Sequence, residues 1–154
     1  MGFWLTSQAF DQGEVIPSRY TCDGENVSPG LEWGNIPEQT QSFALIMDDP
    51  DAPGGTWLHW LLYDLPIGVE EIKENMPKNE QLENGAKQSG NDFHRIGYGG
   101  PCPPKGPAHR YFFRLYALNC RLDLKGKISR EELENAMKGH IIEIAELMGL
   151  YSRK

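Results

Sequence analysis

A mostly β fold, built on two packed sheets with a helix late in the chain, is what this sequence predicts; an α+β arrangement is the alternative its pattern allows. Three observations carry the prediction. Turn formers recur every few residues through the first third (Asp11-Gln12-Gly13, Ile16-Pro17, Asp23-Gly24, Ser28-Pro29-Gly30), which suits short strands and not helices. Three later apolar runs, at 43–47, 57–65 and 110–118, read with the strand period of two. The clearest helix start is Ser129-Arg130-Glu131-Glu132, a capping box in which hydroxyl and carboxylate satisfy free amides. At 154 residues, one domain over 1–154 is expected, with a core that needs neither disulfide nor structural metal.

Taken in order, Phe3-Trp4-Leu5, Val15-Ile16 and Leu31-Glu32-Trp33 are short strand pieces between turns. Within Ser42–Met47, Phe43, Leu45 and Met47 share one face while Ala44 and Ile46 share the other; apolar faces on both sides predict a central strand. In 57–65, alternation puts Trp57, His59, Leu61, Tyr63 and Leu65 on one face and Leu58, Trp60, Leu62 and Asp64 on the other. Residues Pro66 to Gly90 turn polar, predicting a long surface excursion with a helical turn at 69–74. In Arg110–Leu118, Tyr111, Phe113, Leu115 and Ala117 form the apolar face, and His109 lies on the face of Tyr111. Leu133, Ala136, Met137 and His140 recur at helical spacing, with Gly139 as the stop. Ile141–Leu150 fits either a second helix or a terminal strand.

Charge and cysteine usage exclude several classes. The 15 Lys and Arg are scattered among 22 Asp and Glu, a net charge of −7, which argues against a nucleic-acid surface. Cys22, Cys102 and Cys120 are odd in number and lack metal-ligand spacing, so neither a zinc site nor a fully paired disulfide framework is indicated. A reducing compartment and an inert Cys102 thiol are the corresponding expectations. The N-terminus has no basic and apolar leader, and no run approaches the ~20 apolar residues that span a bilayer, so a cytoplasmic protein without an integral membrane segment is expected. No GxSxG, P-loop or GxGxxG signature occurs.

Chemistry is concentrated in two Gly/Pro loops, Asp48 to Trp60 and Gly97 to Tyr111, each delivering a histidine to an apolar strand. Asp49, Asp51, His59, His109 and Tyr111 are the candidates if the loops meet. Such a set can ligate a divalent metal, act as acid and base, or hold an anion through N–H and O–H donors. Each also has a plain structural role: a core histidine, a solvated or turn-accepting Asp48, an Asx turn at Asp51, core packing for Trp57 and Trp60. Gly99 and Gly100 either make a tight turn or bring backbone amides to an anion.

Asp49-Pro50-Asp51-Ala52-Pro53 with Trp57-Leu58-His59-Trp60, then Gly99-Gly100-Pro101-Cys102-Pro103-Pro104-Lys105-Gly106 with His109-Arg110-Tyr111, resemble the two signature regions of the phosphatidylethanolamine-binding protein family. Tyr20-Thr21-Cys22-Asp23-Gly24 and Asn91-Asp92-Phe93 resemble its bacterial and archaeal, Raf kinase inhibitor-like branch. The resemblance, from about Phe10 to Tyr151, implies a β-sandwich of two antiparallel sheets with Greek-key connections and one or two peripheral helices. It implies a small cavity for phosphate-like anions, lined by Asp49, Asp51, Trp57, His59, Pro101, His109 and Tyr111, and a cis Ala52-Pro53 bond. Leu58 departs from the His of many eukaryotic members, and a counterpart of the C-terminal helix that gates the eukaryotic pocket is not expected from residues 152–154.

The expected function is a non-enzymatic anion-binding or regulatory module without cofactor, metal or catalytic residues, its ligand a phosphate or phosphoryl group. The alternatives are an inhibitor of a serine protease or kinase, contacting it through 66–90, and a metal-assisted hydrolase built on His59, His109 and Asp49. A homodimer is a further partner reading.

Overall fold

The central strand of the sequence reading is β3 (Ser42–Asp49), buried along its whole length in the middle of a five-stranded antiparallel sheet. The computed structural model describes residues 2–154, so residue 1 of the expected domain lies outside it. β3 pairs with β4 (Trp57–Pro66) on one side and β7 (His109–Leu118) on the other; β6 (Lys87–Gln88) and β8 (Ile141–Tyr151) complete the order β6-β4-β3-β7-β8. A second antiparallel sheet, β1-β2-β5, is formed by β1 (Trp4–Thr6), β2 (Leu31–Gly34) and β5 (Glu71–Ile72). The sandwich of the sequence reading is therefore present, with α1 (Arg130–Met137) as its α-helix.

Both faces of the large sheet are covered, as the two apolar sets of β3 require. Phe43, Leu45 and Met47 join Phe113, Leu115 and Trp33 between the sheets, where the Phe43 ring packs 5.6 Å from Trp33 and 6.1 Å from Phe3. Ala44 and Ile46 face a second cluster with Leu133 and Met137 of α1. The capping box forms as read: Ser129 Oγ accepts from the Glu132 amide, and the Glu132 carboxylate accepts from the Ser129 amide. Gly139, with φ of +83°, reverses the chain into β8, deciding residues 141–150 in favour of a strand.

Several expectations fail for identifiable reasons. Residues 69–74 form no helical turn; a turn from Pro66 to Val69 leads into β5, because Ile72 buries its side chain in the core between the two sheets. Nor is 66–90 only a surface excursion, since Ala86, Gln88 and Ser89 are buried. Asp48 is buried instead of solvated, its carboxylate paired with Arg130 at 2.6 Å and Arg114 at 3.5 Å. Cys22 and Cys102 are disulfide-bonded, overturning the inert thiol. An odd count accommodates one pair plus Cys120, and the Cys22 amide donating to the Pro101 carbonyl at 3.1 Å shows how closely the two loops lie. The ground for a reducing compartment thereby falls. Among the described residues, no helix is long and apolar enough to cross a membrane.

The strict alternation of β4 also fails, at two bulges. Phe43 pairs with Leu65 and Leu45 with Leu62, so Tyr63 and Asp64 together oppose Ala44. Asp64, at φ of +55°, is fully buried and accepts from the Leu122 and Asp123 amides at 2.8 and 3.0 Å, with Lys87 Nζ 3.6 Å away. Asp64→Ala should cost about 2 kcal/mol or more, by orphaning two amides and forcing a less tolerant residue into the left-handed region. Urea unfolding checks this: the midpoint should fall with the slope unchanged.

Candidate functional site

The second bulge creates the site. Met47 pairs with Trp60 and Asp48 with Leu58, leaving His59 as the extra residue of β4. The following strand faces are thereby reset: Trp60 and Leu62 join the inter-sheet core, whereas Leu61 and Tyr63 join the helix-side cluster. His59 is not on the face of Leu61, contrary to simple alternation. It lies on the side of Tyr111, as bulges at functional sites re-aim side chains. Its ring is 5.3 Å from that of Tyr111, edge to face.

A cavity of about 200 Å³ opens there, lined by Asp49, Trp57, His59, Phe93, His109 and Tyr111, with Ala52, Pro53, Cys102, Pro103 and Pro104 around it. The ends of β3, β4 and β7 supply Asp49, His59 and the His109/Tyr111 pair, so rigid strands hold the polar groups. The His59 Nδ1–H donates to the Gly99 carbonyl at 2.6 Å. The His109 Nδ1–H donates to Asp49 Oδ2 at 2.7 Å, and Asp49 Oδ1 accepts the Asp51 amide at 2.8 Å. Each imidazole thus uses Nδ1 on the wall and keeps Nε2 for a ligand. The Tyr111 hydroxyl is buried and has no hydrogen-bond partner; it lies near the Asp49 carboxylate without bonding geometry to it.

Burial holds the His59 imidazole below its ordinary pKa of 6.5, although the Gly99 carbonyl and Asp49 pull the other way. Burial, with the Asp49 charge, pushes the Tyr111 phenol well up, so it remains an O–H donor. Both Asp49 oxygens already accept hydrogen bonds, which tempers their repulsion of an anion.

Of the residues read from sequence, Asp49, Trp57, His59, His109 and Tyr111 meet in the cavity. Asp51 does not line it. Its carboxylate accepts from the Arg110 amide at 2.9 Å and the Arg110 guanidinium at 2.9 and 3.0 Å, which holds its pKa at about 2. Pro101 is buried behind the wall, where its carbonyl accepts the Cys22 amide. The Ala52-Pro53 bond is trans, since no cis bond occurs among the described residues. Pro53 follows Ala52 in a turn closed by the Gly55 amide on the Ala52 carbonyl, a position where proline needs only its fixed φ. Asp49 is aimed by the end of β3 instead. The Gly99 and Gly100 amides donate to the His59 carbonyl and Asn26 Oδ1, so they serve loop packing and not an anion.

Phe93 is the aromatic lining residue that sequence reasoning missed, beside Ala52, Pro53, Cys102, Pro103 and Pro104. Asn91 Oδ1 accepts the Phe93 amide, and Asp92 exchanges two hydrogen bonds with Leu58, fixing the loop beside β4. An Asx turn at Asn91 was the available signal. The Phe93 ring stands 5.3 Å from His59 and 5.5 Å from Trp57.

The fold is thus a sandwich of two antiparallel sheets with a small cavity at the ends of the central strands of the larger one. A family model described as phosphatidylethanolamine-binding protein matches residues 6–152, and the chain belongs to that family. A relative from Methanothermobacter thermautotrophicus is 50% identical over 149 residues, covering 97% of this chain and 98% of the relative. Among solved structures, a phosphatidylethanolamine-binding protein homologue from Chlamydia trachomatis has a TM-score of 0.90 at 40% identity, covering 99% of each chain. Escherichia coli YbcL, described as a new member of the mammalian family, has a TM-score of 0.92 at 34% identity over all of both chains.

Proposed function

We propose that this protein is a non-enzymatic binding module for a tetrahedral oxyanion, a phosphate or phosphoryl group, held by His59, His109 and Tyr111. The observation that carries the reading is the buried, unpartnered Tyr111 hydroxyl beside two imidazoles whose Nδ1 atoms are already engaged. A buried donor without a partner costs about 1–3 kcal/mol, and a bound oxygen would remove that cost. Asp49 acts as the orienter of His109, and an imidazole that donates through Nδ1 offers an anion a second donor at Nε2 only in its imidazolium form. The region 66–90, which the inhibitor reading takes as its contact, is tied into the sheets by β5 and β6 and is exposed over most of 73–85. No cofactor is invoked, and the partner is a small anion.

NMR titration with inorganic phosphate tests this. Shifts around Tyr111 should saturate in the wild type and vanish in His59→Ala and His109→Ala. No shift there at tens of millimolar phosphate would refute it.

The reading also sets opposite pH trends. Because His59 is depressed when folded, the unfolded chain takes up its proton first as pH falls, and apo stability should decline through about 6.5. A bound anion raises the same pKa, so affinity for sulfate, which does not titrate there, should increase over that range. Unfolding and calorimetric titration between pH 8 and 5.5 measure both. Parallel trends would exclude His59 as a contact.

A further inference from the structure

We infer that the cavity's ligand is a small molecule with two anionic groups, the second held by Lys78 and Arg95 in an adjoining groove; this rests on the anion-binding reading above. The groove, about 370 Å³, is lined by Asn26, Lys78, Asn91 and Arg95, and it shares Phe93 and Cys102 with the cavity. No carboxylate lines it.

The state of Arg95 is unusual in this chain. Arg19, Arg110, Arg114, Arg121, Arg130 and Arg153 each lie within 4 Å of a carboxylate. Among the described residues, Arg95 is the remaining arginine, and it has no such partner although the protein carries a charge of −7. The backbone that presents it is fixed: the Asn91 amide donates to the Arg95 carbonyl at 2.8 Å, the Arg95 amide to Asn91 Oδ1 at 3.3 Å, and Asn91 Nδ2 to the Gly97 carbonyl at 2.9 Å. The Lys78 stem packs on Gly97, where an added Cβ would come 3.2 Å from its Cα and Cγ.

A guanidinium and an ammonium with no internal counter-ion select a carboxylate or phosphoryl group and disfavour an amine. Phe93, in the wall common to both hollows, would flank the linking atoms. Together the two hollows, about 200 and 370 Å³, have the scale of a small-molecule site, which favours a phosphorylated metabolite over a protein surface.

The test compares phenyl phosphate with 4-carboxyphenyl phosphate by calorimetry and NMR at low ionic strength. Wild-type protein should bind the carboxylated probe roughly tenfold more tightly. Arg95→Gln and Lys78→Gln, both exposed positions, should abolish that difference and leave phenyl phosphate binding unchanged. Equal affinities of the two probes in the wild type, or an advantage that persists in both variants, would overturn the inference alone. Failure of both probes to perturb Tyr111 would overturn it together with the anion-binding reading.

Discussion

Replacing Cys22 and Cys102 together by alanine, or reducing their bond, is expected to lower the unfolding free energy by about 4 kcal/mol. The bond spans a sequence separation of 80, and closing a loop of that length in the unfolded chain corresponds to about 4.5 kcal/mol in the chain-entropy account. The folded loops keep other ties. Tyr98 Oη donates to the Tyr20 carbonyl at 2.7 Å, the Gly100 amide to Asn26 at 2.9 Å, and the Cys22 amide to Pro101. Gly100 also packs so closely on residues 20 and 21 that an added Cβ would meet the Tyr20 carbonyl oxygen at 2.2 Å. The loss should therefore fall mainly on the unfolded state and leave the cavity formed. Against a total of ~5–15 kcal/mol for a domain, it would be a large fraction. Urea unfolding with and without reductant checks it, and coincident midpoints would show that the bond contributes little.

Much of the architecture was legible because β3 and β7 obey the period of two without interruption. Phe43, Leu45 and Met47, and Tyr111 with Phe113 and Leu115, land on the face that alternation assigns them. β4 defeats the same reasoning, since a bulge adds a residue to one strand only and the partner is invisible in a local pattern. His59 was nevertheless a sound candidate by residue type and loop context. Asp48 and Asp51 were misplaced because their arginine partners, Arg130, Arg114 and Arg110, are 59 or more residues away along the chain. The disulfide was hidden by a parity argument that ignores a lone unpaired Cys120. For 141–150, apolar residues at both helical and strand spacing left the choice to tertiary pairing with β7.

Tyr111→Phe should change stability and binding in opposite directions. In the free protein the hydroxyl is buried with no hydrogen bond, so its removal should leave stability unchanged or raise it by about 1 kcal/mol. In the anion complex the same hydroxyl becomes a charge-assisted donor worth ~1.5–3 kcal/mol, so phosphate affinity should fall roughly ten- to hundredfold. A tyrosine kept only for packing would lose neither. A tyrosine essential to the fold would lose both.

The most direct measurement of the central claim is the urea midpoint of wild type and Tyr111→Phe as a function of phosphate concentration, at constant ionic strength. Ligand that binds only the folded state adds about 2.7 kcal/mol at a hundredfold excess over its dissociation constant. General salting-in or exclusion effects of phosphate act on both proteins alike, so the difference between the two curves isolates the site. Anion binding at Tyr111 predicts that the wild-type midpoint climbs with phosphate well beyond that of the variant. Parallel curves would contradict it.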